Sequence, residues 1–502
     1  MPRSRNIGCS KIEYIKNIII VVLLLTAVLL LYFFWRDTNL RKMGDQDELR
    51  KSYLESYYKP TIQEIVKPDE INIGFGESDY RKIGPQKFEL IWAGSGEKDK
   101  NESIIAKLKA FGNKGDIIVN EINKSEYEKI NNARVLNIVM PYSVTFSDFC
   151  DIYSLKKHAG YDIINRIKQI SYSDLAKDSL FIYDEKGNKY YRLISNKKNV
   201  GFEKIINKFS KDKFYISYEL GTIIGVENSV LIPLKMASPL EKFNVTQDID
   251  FVNEYETSNL AKKFFGEGLE FIRKITQSDG KIIYMYDYSK QVLTIEQDGK
   301  VTYTEAGMVN NKKMNFIDSL KQAVDFISVH DGWKNFGGKE ESLYLKNVEY
   351  DDEKNTYYFV FGVKVNSSKV FYDKEDPLKI TVQGGKVIEY TKRMFKKEKE
   401  ENKNTGDKRR VVYPGVDILT ENYMEMYSEL QKNYKASNGQ SISFEEIISE
   451  VTGMETGYLI KISALKDRPI TSANPVWKVS IGENKFFYDL YTGKKIMYTV
   501  EK

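Results

Sequence analysis

A chain of 502 residues with 76 Lys and Arg against 71 Asp and Glu carries only +5, and its 41% apolar content suffices for packed cores in two to four domains. Basic and acidic residues are interspersed, which excludes nucleic acid as a partner, because such binders concentrate a basic excess on one element. Only two cysteines occur, Cys9 and Cys150, one on each side of a long apolar run, so a disulfide scaffold is excluded as well.

Residues 1–17 form a short head in which Arg3, Arg5, Lys11 and Lys16 face only Glu13. The uninterrupted run IIIVVLLLTAVLLLYFFW (residues 18–35) follows. At helical rise it spans about 27 Å against a hydrocarbon core of roughly 30 Å, with Tyr32, Phe33, Phe34 and Trp35 suited to one interface. A secretory signal has an apolar core of about 7 to 15 residues followed by a small-residue cleavage site. This run is longer and ends in aromatics and Arg36, so an uncleaved transmembrane helix is expected. The basic head places the N-terminus in the cytoplasm and the body outside a cell membrane. Arg41, Lys42, Arg50 and Lys51 do not reverse this, because long hydrophilic segments translocate largely regardless of charge. Cys9 precedes the run and cannot serve as a lipoprotein cysteine. Thr26 and Ala27 are the small or polar residues at mid-helix; with Leu23, Leu30, Leu31 and Phe34 they mark the candidate partner-binding face.

Residues 36–68 read as a juxtamembrane stalk, with Leu49, Tyr53, Leu54 and Tyr57 at helical spacing. An α+β domain is expected over 69–245. Its predicted strands are 71–75 (INIGF), 88–93 (FELIWA), 116–122 and 133–142. Helices are predicted over 102–111 and from Ser125, with Glu128 completing a capping box. Two strand pairs close the domain, 179–184 with 189–195 across Glu185-Lys186-Gly187-Asn188, and 215–220 with 229–234.

A second domain is expected over 246–395. A helix at 258–265 stops at Gly266; strands follow near 270–276, 282–288, 291–296 and 300–304; a helix capped by Asn315 carries Ile317, Leu320, Val324 and Ile327 on one face. Strands at 343–350, 356–365, 378–383 and 386–392 complete it, the last two joined by Gly384-Gly385. The mixed-sign stretch KKEKEENKNTGDKRR (396–410) reads as a solvated linker. The third domain, 411–502, repeats the plan of helix then meander. Ser443 caps a helix with Glu446 three residues on and Phe444, Ile447, Ile448 and Val451 on one face, stopped by Gly453. Strands at 458–465, 476–481, 485–490 and 495–500 follow.

The closing stretch PVWKVSIGENKFFYDLYTGKKIMYTV (475–500) resembles the end of PepSY-like domains, a Trp-led strand before a strand ending in Asp, then Thr-Gly, then a last strand. Here these are Trp477, Asp489, Thr492 and Gly493; glycine supplies the permissive backbone and Asp489 is placed to accept from the turn amides. A single anchor, a first α+β domain and two PepSY-like units, with LAKKFFGEGLEFIRKI (260–275) and YYFVFGVKVNSSKV (357–370), make the whole chain resemble the YycH family, relatives of YycI. The long first domain and the charged linker depart from that pattern. The resemblance implies a membrane-tethered extracytoplasmic regulator of the essential cell-wall sensor histidine kinase of a two-component system. Its implied partners are the kinase, touched by anchor helix and outer domains, and a YycI-like protein. Abundant Lys, Ile, Asn and Tyr with little Pro resembles a low-GC Gram-positive composition.

No residue pattern argues for catalysis. His158 and His330 are the only histidines and fall in separate predicted domains; His330 in ISVHDGW (327–333) sits beside Asp331 at a helix end, a structural position. No HExxH, cysteine cluster or paired histidine suggests a metal, and Gly74-Phe75-Gly76 and Gly94-Ser95-Gly96 lack the third glycine and the Lys-Ser/Thr that hold a nucleotide. No catalytic residue, cofactor or metal ligand is therefore assigned. A glycosidase pair must lie roughly 5 to 9.5 Å apart, and no two carboxylates stand out. Tyr284, Tyr286, Tyr288, Tyr357 and Tyr358 suit half-exposed strands, with a glycan-binding strip as the alternative. The rival functions are a wall-facing hydrolase or glycan-binding protein, and a PepSY-type inhibitor of a secreted protease.

Overall fold

The structure, a computed structural model, describes residues 15–30, 59–76, 79–94, 100–113, 116–196, 201–209, 216–234, 240–266, 269–306, 313–333, 341–398, 411–434, 443–462 and 470–500. The chain divides into Met1–Tyr58 and a body, Lys59–Lys502. Of the first unit, residues 15–30 form a helix with every side chain exposed. Among the described residues no helix is long and apolar enough to cross a membrane. Residues 31–35 of the apolar run and 36–58 of the expected stalk lie outside the described residues, as do 399–410 of the expected linker.

The body opens with a nine-stranded antiparallel sheet. In spatial order its strands are Ile117–Ile122, Lys189–Ser195, Ser179–Asp184, Arg166–Ser173, Arg134–Thr145, Glu70–Phe75, Tyr80–Lys82, Ile216–Glu219 and Leu231–Pro233. The segment 88–93, expected as a strand, belongs instead to the helix Pro85–Trp92. Proline at the helix start fits the first turn, and Phe88, Ile91 and Trp92 fall at i, i+3 and i+4 and are all buried. A short apolar run has no period that separates the two states. The expected cap at Ser125 is displaced too: the helix Lys124–Asn131 starts earlier, and the Asn123 side chain accepts from Glu126 N at 2.8 Å. The preceding strand ends at Ile122, so the chain must turn at Asn123.

The second sheet has fifteen strands and spans both expected C-terminal domains. From one edge it runs Arg273–Thr276, Ile282–Tyr286, Gln291–Ile295, Val301–Glu305, Lys386–Lys392, Leu378–Gln383, Thr356–Val365, Ser368–Tyr372, Val451–Ile460, Ile470–Ile481, Phe243–Gln247 and Phe395–Lys397. Glu341–Asp351 pairs with Thr356–Val365, while Asn484–Asp489 and Lys495–Val500 extend from Ile470–Ile481. A helix followed by an antiparallel meander occurs over 254–305, 316–392 and 444–500. The expected caps at Asn315 and Ser443 form, the latter as a full capping box with Glu446. That helix ends at Ser449, however, and Val451 opens a strand with Gly453 at a bulge rather than at a helix stop.

One apolar core runs from Ile73 and Leu136 of the first sheet to Phe359 and Ile380 of the second, so those sheets do not have separate interiors. A distinct cluster around Trp477, Phe486 and Tyr488 supports the last meander, and Leu220 and Ile232 from the end of the first sheet contribute to it. Asn228 stitches this contact, donating to Ile448 O at 2.8 Å and Val451 O at 2.9 Å.

Candidate functional site

The feature that unites the body is a seam where the middle of the second sheet meets both the first sheet and the last meander. Asn366 and Ser367, with φ of 49° and 62°, turn the chain tightly between Thr356–Val365 and Ser368–Tyr372. The short returning strand then pairs in parallel with Val451–Ile460, the one parallel pairing among the described strands, with Lys369 opposite Gly457. A Cβ at position 457 would press on the Lys369 carbonyl oxygen and lie 2.7 Å from the Phe371 ring, so the pairing requires glycine there.

This register places the Lys369 ammonium between two distant carboxylates, 2.8 Å from Asp69 and 2.6 Å from Glu455. Asp69 leads into the first sheet, where its amide donates to Val139 O at 2.8 Å. On the other side Lys478 lies 3.2 Å from Glu455 and 4.9 Å from the centre of the Phe371 ring. Burial opposes charge on Lys369, but Asp69 and Glu455 outweigh it and hold its pKa well above the lysine range. Burial likewise opposes ionisation of both carboxylates. Lys369 outweighs it at Asp69, and Lys369 with Lys478 outweighs it at Glu455, so both titrate below the usual carboxylate range. Lys364 is the neighbour with no ion pair among the described residues: burial foremost, with Lys369 and Lys67 adding repulsion against the attraction of Asp69 and Glu89, brings it down to about 8.

The last meander realises its expected turn chemistry. Asp489 accepts from the backbone of Tyr491 at 3.1 Å and of Thr492 at 2.9 Å, and Gly493 takes φ 68°. Trp477 is buried and donates from Nε1 to Tyr413 O at 2.9 Å.

Other sequence candidates are dispersed. His330 is buried, stacks on Phe326 at 3.9 Å, and uses Nδ1 on Phe326 O at 2.6 Å. His158 Nε2 meets Gly112 O at 2.7 Å, far along the first sheet. Among the described residues no group of three His, Cys, Asp or Glu is placed to hold a metal. Gly76 and Gly94 take positive φ at a strand end and a helix end, ordinary turn positions. Tyr284 is buried and Tyr288 stands fully exposed in a turn, so these tyrosines form no common strip; Tyr357 stacks on Tyr350 at 4.4 Å.

In the N-terminal unit Leu23, Thr26, Ala27 and Leu30 share one helix face by their spacing, and Thr26 Oγ1 donates to Leu23 O at 2.9 Å. Leu31 and Phe34 lie outside the described residues. Sequence reasoning missed Asp69, Lys369 and Glu455 altogether. The available signal was the Asn366-Ser367 pair, a left-handed turn signature before a lysine.

Two sheets, a repeated helix and meander, and a terminal Trp-Asp-Thr-Gly unit define an α+β protein with the YycH fold. No protein-family model and no curated protein sequence matches the chain. Among solved structures, YycH from Bacillus subtilis superposes with a TM-score of 0.52 at 9% identity, covering 85% of this chain and 96% of that one. The resemblance of the whole chain to YycH is thus borne out in the fold. The C-terminal domain of YpeB from Bacillus megaterium gives a TM-score of 0.24 at 14% identity over 50% of this chain and 98% of that one, an overlap too loose to relate the two folds.

Proposed function

We propose that the chain is a non-enzymatic regulator, tethered to the cell membrane by residues 18–35, whose body lies outside the cytoplasm and modulates a two-component sensor histidine kinase. The YycH fold over most of the chain is the observation that carries this reading. The apolar N-terminal helix supports the tether, and Leu23, Thr26, Ala27, Leu30, Leu31 and Phe34 would form the face that packs beside kinase membrane helices. The seam supports a body that acts as one piece, since a load on either sheet reaches the other through Lys369. The required energy is small: about 1.4 kcal/mol of coupling shifts a two-state equilibrium tenfold, and contacts between membrane helices reach roughly 1–2 kcal/mol.

The test replaces residues 18–35 by an unrelated membrane span of similar length. The chimaera should reach the membrane and fold its body, yet alter output from a kinase reporter, and Thr26→Leu or Ala27→Ile should reproduce part of the change. Unchanged output with every span would remove the helix from the mechanism and leave a passive tether.

A further inference from the structure

Lys364 lies on the strand Thr356–Val365, beside the seam but outside its ion pairs. Its Nζ is 4.6 Å from the centre of the Tyr344 ring and 5.5 Å from that of Phe88, which belongs to the helix Pro85–Trp92 on the first-sheet side. Gly362 makes room for this arrangement, because a Cβ there would lie 2.7 Å from Cε1 and Cζ of Tyr344. Lys364 is half-buried. Among the described residues it has neither an ion pair nor a hydrogen bond, only the two rings.

Among the described residues, Lys369 and Lys67, the cations that act on it, are matched, as are other lysines of this region. Lys369 has Asp69 and Glu455, Lys478 shares Glu455, Lys67 has Glu89 at 2.6 Å, Lys82 has Glu70, and Lys346 has Asp376 at 2.6 Å. The seam proper therefore holds two ammonium groups, Lys369 and Lys478, against two carboxylates, Asp69 and Glu455. It is electrically balanced only when Lys364 is neutral. A charged Lys364 is a surplus cation, half removed from water and facing Lys369 and Lys67, with the Tyr344 hydroxyl group and the already paired Asp69 and Glu89 as its other ionisable neighbours.

We infer that Lys364 is a nucleophilic amine and the preferred site at which the folded body takes up a small acyl group from an activated acyl donor. The lone pair on neutral Nζ attacks the acyl carbonyl carbon. The new N–C bond forms, the bond from that carbon to the leaving oxygen breaks with its electron pair, and the surplus proton on nitrogen passes to water. The product is a neutral amide, which preserves the charge balance of the seam. Acylation of Lys369 would instead take from Asp69 the ammonium it is ion-paired to, so the fold favours Lys364 over its neighbour. Its pKa of about 8 agrees with this chemistry, since the neutral amine is then far more abundant near neutrality than for an ordinary lysine.

The test uses the wild-type full-length chain in detergent micelles, so no variant's folding enters. Trace isotopic acetic anhydride is added between pH 6 and 10, the chain is then unfolded and fully acetylated with unlabelled reagent, and mass spectrometry gives the isotope ratio at each lysine. At pH 7.5 Lys364 should label about tenfold faster than exposed Lys313 or Lys321, with a rate that levels off above pH about 8. In the chain pre-unfolded in urea, the advantage should vanish. Labelling of Lys364 no faster than those exposed lysines, or a rate still climbing to pH 10 with theirs, would overturn the inference; so would preferential labelling of Lys369.

Discussion

Lys369 stands opposite Gly457 in the parallel strand pair that joins the middle of the second sheet to the last meander. The absent side chain of one residue lets the other's strand approach closely enough for its ammonium to bridge Asp69 and Glu455. Backbone packing and charge are thus coupled at one point.

Gly457→Ala should therefore destabilise the body by about 2–3 kcal/mol, as an added methyl that meets backbone and a packed ring does in cores. Gly453, whose Cβ would have nothing nearer than Ser480 Cβ at 3.9 Å, is the matched control. Its alanine variant should change stability by roughly 0.5 kcal/mol or less. Chemical denaturation of the two variants beside wild type separates them.

Lys369→Met removes the shared cation and leaves Asp69 without its ion-pair partner. A loss of about 3–5 kcal/mol is expected, the range for breaking a buried pair on one side. Adding Asp69→Asn to Lys369→Met should recover a substantial part of the loss, because the stranded charge goes with it. Additive losses in that double-mutant cycle would show that the two residues are not coupled.

Acid should weaken the seam in a defined window. Asp69 and Glu455 titrate lower in the folded chain than in the unfolded one, where values near 3.9 and 4.3 apply. As pH falls, the unfolded chain takes up protons first, so their stabilisation is present above about pH 4.5 and is lost on descending through the folded values. Urea midpoints measured from pH 6 to 2.5 should fall more steeply in wild type than in Asp69→Asn.

The opposite sign applies to Lys364, whose pKa of about 8 lies below the unfolded value of roughly 10.4. Its charge opposes folding fully below pH 8, and the opposition fades as pH rises through that window, because the unfolded chain then binds more protons than the folded one. Lys364→Met keeps the apolar stem and should be more stable than wild type at pH 7 by on the order of 1 kcal/mol. The difference should shrink by pH 9.5. Equal urea midpoints at pH 7 would mean that Lys364 is charged there at no cost.

Asp489→Ala should cost about 1–2 kcal/mol, since the turn amides of Tyr491 and Thr492 lose their acceptor. Trp477→Phe should cost a similar amount by leaving Tyr413 O without its indole donor. Thermal melts of both variants check this.

What the sequence determined by itself was local. Asn315 and the Ser443–Glu446 box cap helices because a side-chain oxygen reaches an amide two or three residues on. The Asp489-Thr492-Gly493 turn and the Gly384-Gly385 hairpin follow for the same reason, each being settled within a few residues. Period alone did not separate helix from strand at 88–93, where burial on one face of a helix supplies the same apolar run. The seam was decided only by the tertiary structure. Lys369 is 300 positions from Asp69 and 86 from Glu455, and what brings them together is the register of one parallel strand pair. That register depends on the fit of Gly457 under a neighbouring backbone, a steric condition that no local pattern carries.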